Sequence, residues 1–421
     1  MSSPTPTLNP DAPLPGEDDG ERANRWNDLL RRIATGNALV SVLAVLLAIV
    51  VGGVLIAVTD EGVQTAAGYF FARPGDTFAA IWKAVSGAYV ALFQGSIIDF
   101  RQSDPLRALK PITQTLLFAS PLIAAGLGVA IAFRVGLFNI GGRGQILVGA
   151  GFAGYASFAW DLPPVIHVIV ALALGIAGGA LWGGIAGFLK ARTGAHEVIV
   201  TIMLNYVAYY LLSFLLRTPL LQNPGSNNPK TPPALPSAQL PAILPEPFKL
   251  HVGFILVIAA TVFAWWLIER SSLGFKFRAV GLNPHAARTA GINVDRMYLY
   301  VMLFAGGFAG LAAANEVLGT TTTGFTSGVD AGIGFDAITV ALLGRSTPWG
   351  TFAAGLLFGA FKSGGFAMQA SQGIPIDIVL VVQSMIVLFI AAPPLVRSIF
   401  RLPQPGRPRR RAKSEPKAVA S

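Results

Sequence analysis

The sequence predicts an all-α, polytopic membrane protein with about ten transmembrane helices, some of them broken, and with both termini in the cytoplasm. Three observations lead to this prediction. The 421 residues are 53% hydrophobic and only 12% charged, whereas soluble domains carry about 25% charged residues. Apolar runs of about 20 residues, long enough to cross the hydrocarbon core, recur along the chain. Positive charge is concentrated in alternate connecting segments.

Ten apolar segments are predicted to cross or enter the membrane. Two of them, residues 144–160 and 333–344, are short, and glycines interrupt the pattern around them. Irregular backbone survives at membrane depth only where protein or a water-filled cavity satisfies its polar groups. These two segments therefore predict broken helices near a translocation path. The ten segments are 38–58, 112–133, 144–160, 165–188, 198–216, 250–268, 298–316, 333–344, 350–367 and 375–393.

Lys and Arg residues indicate the orientation. If the N-terminus lies inside and the spans alternate, 22 of the 31 cationic residues are cytoplasmic and nine are outside. This bias predicts two cytoplasmic termini. We expect a disordered cytoplasmic tail over 1–32, a transmembrane domain over 33–400 and a basic cytoplasmic tail over 401–421. Within the domain, 217–249 is predicted to be a Pro-rich outer loop, and 269–297 a polar, basic cytoplasmic loop.

Residues 77–93 form a further apolar segment, with Lys83 near its middle. A span at this point would break the alternation of the other segments. We therefore expect an amphipathic helix that lies on the outer face. An eleventh span is the alternative.

Several kinds of chemistry have no signature in this chain. It contains no cysteine, no Walker A motif and no Gly-x-Ser-x-Gly elbow, and its four histidines lack metal-ligand spacing. We therefore expect no catalytic residue, no metal site and no cofactor. The net charge of +10 sits in loops and tails rather than on one basic face with interleaved aromatics. This distribution favours contact with membrane lipid and disfavours nucleic acid.

Polar residues interrupt the segment between Arg134 and Gln145, which reads RVGLFNIGGRGQ. Its glycines permit close backbone approach, and a helix that starts near Gly144 directs free N–H groups into the protein interior. Asn139 and Gln145 are therefore candidates for contact with a polar solute. An ordinary tight turn between two helices is the alternative.

Acidic and amide side chains also occur within or beside apolar runs. Glu197, Thr201 and Asn205 are four residues apart and share one helix face. Polar groups in a membrane are costly, so they indicate function or hydrogen bonding between helices. Glu197 could also be a helix-start acid at the membrane interface. Two interpretations are likewise open for Glu316 and Asp336: each either lines a solute pathway or lies at the end of an apolar segment. Acidic groups in such positions also leave proton-coupled transport as an open alternative.

Five motifs, in order along the chain, resemble the permease subunits of ABC importers of the branched-chain amino acid, ribose and nucleoside type. The resemblance covers about residues 38–400 and is strongest to the nucleoside or simple-sugar branch. One departure is Arg143, where members of that family often carry an acid. The motifs are FNIG from Phe138, GQ from Gly144, EVIVTIMLNY from Glu197, RAVGLNPHAARTAGI from Arg278 and GFDAITVALLGR from Gly334.

The resemblance implies a subunit that forms a route for nucleosides or related sugars across the bacterial cytoplasmic membrane. It has no ATPase site of its own, because separate ATPase subunits bind ATP and Mg and dock on the loop 269–297. A second permease, either a copy of this chain or a paralogue, and an extracytoplasmic solute-binding protein or lipoprotein complete the assembly. The implied coupling residues are Asn283, Pro284, Ala286, Ala287, Arg288 and Gly291. The expected pathway residues are Asn139, Gln145, Asn205 and Glu316.

Two other classes of function remain open at this stage. An ion-coupled secondary transporter could use Glu197, Glu316 or Asp336 to carry a proton or sodium ion. A membrane scaffold without transport is the third class, although the glycine-broken segments argue against it.

Overall fold

The computed structural model describes residues 37–401, and regular structure in this part of the chain is helical. Its only β-type pairing is an isolated bridge between Ala242 and His251. The predicted tail over 1–32, and all of the predicted tail 401–421 except Arg401, lie outside the described residues. The α-helices are α1 (Asn37–Thr59), α2 (Glu61–Ala67), α3 (Pro74–Ser96), α4 (Pro105–Ala108), α5 (Lys110–Arg134), α6 (Gly142–Ala159), α7 (Pro164–Thr193), α8 (Glu197–Leu215), α9 (Gly253–Trp265), α10 (Ser272–Leu282), α11 (Pro284–Thr289), α12 (Val294–Asn315), α13 (Ile333–Leu343), α14 (Pro348–Gln372), α15 (Asp377–Ala391) and α16 (Pro393–Ile399).

Six helices within 37–401 are long and apolar enough to cross a membrane, and a seventh results if α15 and α16 form one bent span. The predicted broken segments appear as α6 and the short helix α13. The helix α14 has 25 residues, but its glycines, serines and Lys362 make it less apolar. Ten spans and two cytoplasmic termini therefore stay predictions. The six spans are Val42–Thr59, Pro105–Arg134, Pro164–Thr193, Glu197–Leu215, Gly253–Arg270 and Val294–Thr320.

The described residues form two compact units. The smaller contains residues 37–50 and 388–401, and its part of α1 exposes Val42, Leu46 and Val50 at four-residue spacing. Such an apolar stripe is typical of a helix that faces lipid. The larger unit, residues 51–387, contains every feature described below.

Glycines bring α7 and α12 into backbone contact. Gly175 and Gly179 on α7 meet Gly306 and Gly310 on α12, and a Cβ atom at Gly306 would collide with the Gly179 carbonyl oxygen. Small residues at four-residue spacing allow such close approach, because helices in lipid associate through van der Waals packing. The backbones of α7 and α12 are therefore in direct contact along these four glycines.

Residues 77–93 lie within the helix α3. This helix runs antiparallel along α14, with Gly95 against Gly364 and Ala367, and its position on the outer face stays a prediction. The face of α3 that packs is made of small side chains, and Ala88 and Ala91 are buried. Sequence periodicity showed the apolar face of this helix but not its partner. The helix is not among the six apolar spans.

The Pro-rich segment 217–249 is non-helical apart from the short 3₁₀ turn Pro236–Ala238, as predicted. Its backbone is fastened to the chain that follows α12. The N–H of Leu240 donates to the carbonyl of Leu318 at 2.8 Å, and the N–H of Ala234 donates to the carbonyl of Thr322 at 2.9 Å. These bonds satisfy polar backbone groups that the prolines leave without helical partners.

Candidate functional site

Two helices that start inside the bundle meet at their first turns. The helix α6 begins at Gly142 after the irregular segment 135–141, and α13 begins at Ile333. A Cβ atom on Gly142 would lie 3.0 Å from the carbonyl oxygen of Gly334, and one on Gly334 would collide with the backbone nitrogen of Arg143. We call Gly142, Arg143 and Gly334 the half-helix junction. Two positive helix ends converge there.

Three of the four expected pathway residues form one buried amide network beside the junction. Asn139 and Gln145 exchange side-chain hydrogen bonds of 3.2 Å, and Asn139 also accepts from the N–H of Gly141 at 2.9 Å. Asn205 accepts from the N–H of Gly144 at 2.8 Å and donates to the carbonyl of Ile140 at 2.9 Å.

In this conformation the amides therefore hold the irregular segment 135–141 and the start of α6. Asn139, Gln145 and Asn205 are all buried. They supply partners that non-helical backbone requires at membrane depth. Thr201, on the same face of α8, instead bonds back to the carbonyl of Glu197 at 2.8 Å.

Glu316, the fourth expected pathway residue, belongs to a different group. Its carboxylate accepts from the hydroxyl of Thr321 at 2.9 Å, in the π-helical turn Glu316–Thr320 that ends α12. Lys362 on α14 lies close enough to interact electrostatically with both Glu316 and Asp336. Lys362 also donates to the carbonyl of Ala331 at 3.3 Å.

An ion pair extends this group to the half-helix junction. The Nε atom of Arg143 lies 3.4 Å from a carboxylate oxygen of Asp330, whose side chain is only 5% exposed. The guanidinium also lies over the ring of Tyr209, 5.3 Å from its centre. We call Arg143, Glu316, Asp330, Asp336 and Lys362 the charged cluster. It contains two cations and three acids from the loop before α13 and from four helical elements.

Sequence reasoning missed Asp330 and Lys362 as members of this cluster. Both carried a usable signal: Asp330 lies in a glycine-rich stretch before a broken helix, and Lys362 interrupts an apolar segment. An ionisable residue in such a position is a functional candidate by default. Their partners could not be found from spacing, because they lie on distant parts of the chain.

Glu197 lies apart from the charged cluster, at the start of α8. Its carboxylate is 2.9 Å from the Nζ atom of Lys190 at the end of α7. The pair bridges the short turn 194–196. This position favours the interpretation of Glu197 as a helix-start acid over that of an ion carrier.

The expected coupling residues form a small exposed helix. The side chain of Asn283 caps α11 by accepting from the N–H groups of His285 and Ala286 at 3.0 and 3.1 Å. Gly291 follows with a φ of 82°, which favours glycine because it lacks a Cβ atom. Ala287 is buried against the bundle, and Ala286 is exposed.

The other expected coupling residues, and one neighbour, are mostly open to solvent. Arg288 is exposed and pairs with Asp295 at 3.5 Å. Pro284 is half-buried. Leu282 is 88% exposed.

A continuous set of contacts joins residues 283–291, which we call the coupling segment, to the half-helix junction. Gly281 at the end of α10 packs against the backbone of Arg134 and Val135, where the irregular segment begins. The guanidinium of Arg134 donates to the carbonyl of Ser346 at 2.8 Å, just beyond α13. The end of α10 is thus linked to the irregular segment before α6 through Val135, and to the chain after α13 through Arg134.

Comparison with known proteins identifies the family. Residues 112–391 match the family described as branched-chain amino acid transport system / permease component. A guanosine ABC transporter permease of Bacillus subtilis is 36% identical over 86% of this chain and 95% of its own length. A nucleoside ABC transporter permease of Lactococcus lactis is 35% identical over 68% of this chain and 80% of its own.

A glucose ABC transporter permease of Haloferax volcanii is 34% identical over 66% of this chain and 75% of its own length. No solved structure matches the chain. The family match covers the half-helix junction, the charged cluster and the coupling segment. The chain belongs to the family of permease components of branched-chain amino acid transport systems.

Proposed function

We propose that this chain is the membrane permease subunit of an ABC importer and that it forms the route for a nucleoside. The family match and the near full-length similarity to a guanosine permease carry the proposal. The similarity to a glucose permease makes a simple sugar the related candidate. Amide, hydroxyl and charged groups of the kind found near the junction can pair with the donors and acceptors of either solute.

The proposed assembly contains separate ATPase subunits, a second permease and an outer solute-binding protein, in a bacterial cytoplasmic membrane. ATPase subunits dock on α11 and its flanks, from Asn283 to Gly291. Their closure moves α10, which pushes on Arg134 and Val135 through Gly281. The irregular segment 135–141 then carries the movement to the half-helix junction. The solute route changes as a result from outward-open to inward-open.

In the proposed mechanism the solute route runs along the charged cluster. The ion pairs and hydrogen bonds of the cluster must therefore rearrange before a solute can pass. The amide network, with Asn139, Gln145 and Asn205, positions the junction and presents its atoms to solute when the segment 135–141 shifts. Glu316, in the charged cluster, lies along the same proposed route. Weak contact suffices, since a transporter must release its solute and the binding protein performs recognition.

The test is uptake of labelled guanosine by cells that lack the gene and by the same cells carrying it. We expect uptake to depend on the gene, to be competed by unlabelled nucleosides and to continue in an uncoupler as long as ATP is maintained. Competition by glucose but not by nucleosides would move the assignment to sugars. Uptake that the uncoupler abolishes at constant ATP would instead support the ion-coupled class.

A further inference from the structure

A polar pocket lies at the end of the bundle opposite the coupling segment. Its volume is about 600 Å³. The helix α5 starts at its wall with Lys110 and ends at Arg134, whose carbonyl oxygen contacts Gly281. With a rise of 1.5 Å per residue, the 25 residues of α5 separate the two ends by about 36 Å.

Three cations and three glutamine amides are among the residues that line this pocket. Arg101, Arg107 and Lys110 face one lining carboxylate, that of Asp99. The carboxylate of Asp99 is already engaged, since it accepts from the N–H of Arg101 at 3.0 Å and from the side chain of Gln102 at 3.2 Å. Positive charge is therefore in excess.

Two of the three cations are available to a ligand. Arg107 pairs with Asp104 at 3.6 Å. Within residues 37–401, Arg101 and Lys110 form no ion pair with an acid. The amides of Gln94 and Gln114 line the same wall. Two guanidinium or ammonium groups with neighbouring amide donors are suited to a phosphate group.

The surroundings of the pocket are apolar and open. Phe93 and Phe100 stack with ring centres 6.4 Å apart, and they are 45% and 68% exposed. Leu106 and Leu109 are also exposed. Charged donors beside exposed aromatic and aliphatic side chains are typical of the interface between headgroups and acyl chains.

We infer that this pocket binds the phosphate headgroup of an anionic phospholipid. The cations hold the phosphate, and the exposed Phe93, Phe100 and Leu106 contact the acyl chains. An acidic protein surface could also pair with the cations. It would not explain the exposed apolar side chains beside the pocket, which the acyl chains of a lipid would contact. The pocket shares no lining residue with the charged cluster or the coupling segment, so the inference does not rest on the proposed function.

The experiment is native mass spectrometry of the purified chain during titration with phosphatidylglycerol or phosphatidylcholine of identical acyl chains. We expect tighter binding of phosphatidylglycerol. Arg101→Gln combined with Lys110→Gln is expected to weaken it about thirtyfold. Both side chains line the pocket rather than the core, so the variant is expected to fold, and its unfolding temperature checks this. The control is Arg73→Gln combined with Lys83→Gln, which removes the same charge at exposed positions and is expected to bind normally.

Three results overturn the inference. The first is equal binding of the two lipids, and the second is undiminished binding of phosphatidylglycerol in the Arg101 and Lys110 variant. The third is displacement of the lipid by millimolar inorganic phosphate, which would identify a free-anion site. Persistent lipid binding by the variant, together with loss of a co-purifying solute-binding protein, would instead identify a protein-docking surface.

Discussion

Arg143 and Asp330 show how single residues hold the half-helix junction together. The aspartate side chain is 5% exposed and the arginine 32%. The ion pair joins the first turn of α6 to the loop that leads into α13. Removal of one partner from a buried pair is costly mainly because the other charge remains buried alone.

The first prediction concerns this pair. We expect Arg143→Met to destabilise the protein by about 2 kcal/mol, because it leaves the Asp330 carboxylate buried without a cation. Asp330→Asn is expected to cost less, because it removes the buried charge itself. The combination Arg143→Met with Asp330→Leu is expected to recover part of the loss. Thermal unfolding in detergent measures all three, and equal losses for the two single variants would contradict the account.

His251 gives a second prediction, on pH. It lies two residues before the span Gly253–Arg270, at the edge of the predicted segment 250–268, and burial lowers the pKa of His251 to about 4 from an ordinary value of 6.5. Between these values the unfolded chain binds a proton that the folded protein does not. The free energy of unfolding therefore falls as pH falls through this window, by about 2 kcal/mol from pH 7 to pH 5.

The control is His251→Asn, which does not titrate. Its side-chain oxygen can accept from the N–H of Gly253, as the imidazole Nδ1 does at 3.2 Å. We expect the unfolding temperature of the variant to change less between pH 7 and pH 5 than that of the wild type. Equal changes would show that burial of His251 does not set this pH dependence.

At the scale of elements, the contact between α7 and α12 depends on the absence of side chains. The third prediction compares two neighbouring glycines of α12. Gly306→Ala places a Cβ atom against the Gly179 backbone and is expected to lower the unfolding temperature by several degrees. Gly307→Ala has its nearest neighbour, an Ile176 carbon, 3.6 Å away and is expected to be tolerated. Similar stability of the two variants would show that this packing is not tight.

Features that depend on a short stretch of the chain were predicted correctly from the sequence. The glycine-rich stretch predicted an irregular segment before a short helix, and the structure has one from Val135 to Gly141. Spacing placed Thr201 and Asn205 on one helix face, and both are buried.

The same reasoning could not identify partners that are distant along the chain. Periodicity shows which face of a helix is buried, but not which helix covers it. The ion pair between Arg143 and Asp330 was missed for this reason, and so was the packing of α3 along α14. The roles of the four expected pathway residues remain predictions.

At the scale of the whole molecule, the bundle has two distinct ends. One end carries the exposed coupling segment, and α5 runs from there to the polar pocket at the other. The bias of Lys and Arg predicts that the coupling segment lies in the cytoplasm. The chain contains no cysteine, so single cysteines can report the orientation directly.

The fourth prediction uses two exposed positions. In intact cells, a membrane-impermeant thiol reagent is expected to label Asn227→Cys in the Pro-rich segment but not Leu282→Cys beside α11. In inside-out vesicles the pattern is expected to reverse. Labelling of Leu282→Cys in intact cells would contradict the predicted topology.

The most direct test of the central claim is affinity purification of the tagged chain in mild detergent, followed by mass spectrometry of the proteins that accompany it. The account predicts an ATPase with a Walker A motif, and it predicts loss of that ATPase when residues 284–291 are replaced by a Gly/Ser linker. The helices that flank the linker must remain folded, as judged by unfolding temperature. Absence of any ATPase from a folded wild-type preparation, or its retention by the linker variant, would contradict the claim that this segment couples the permease to ATP.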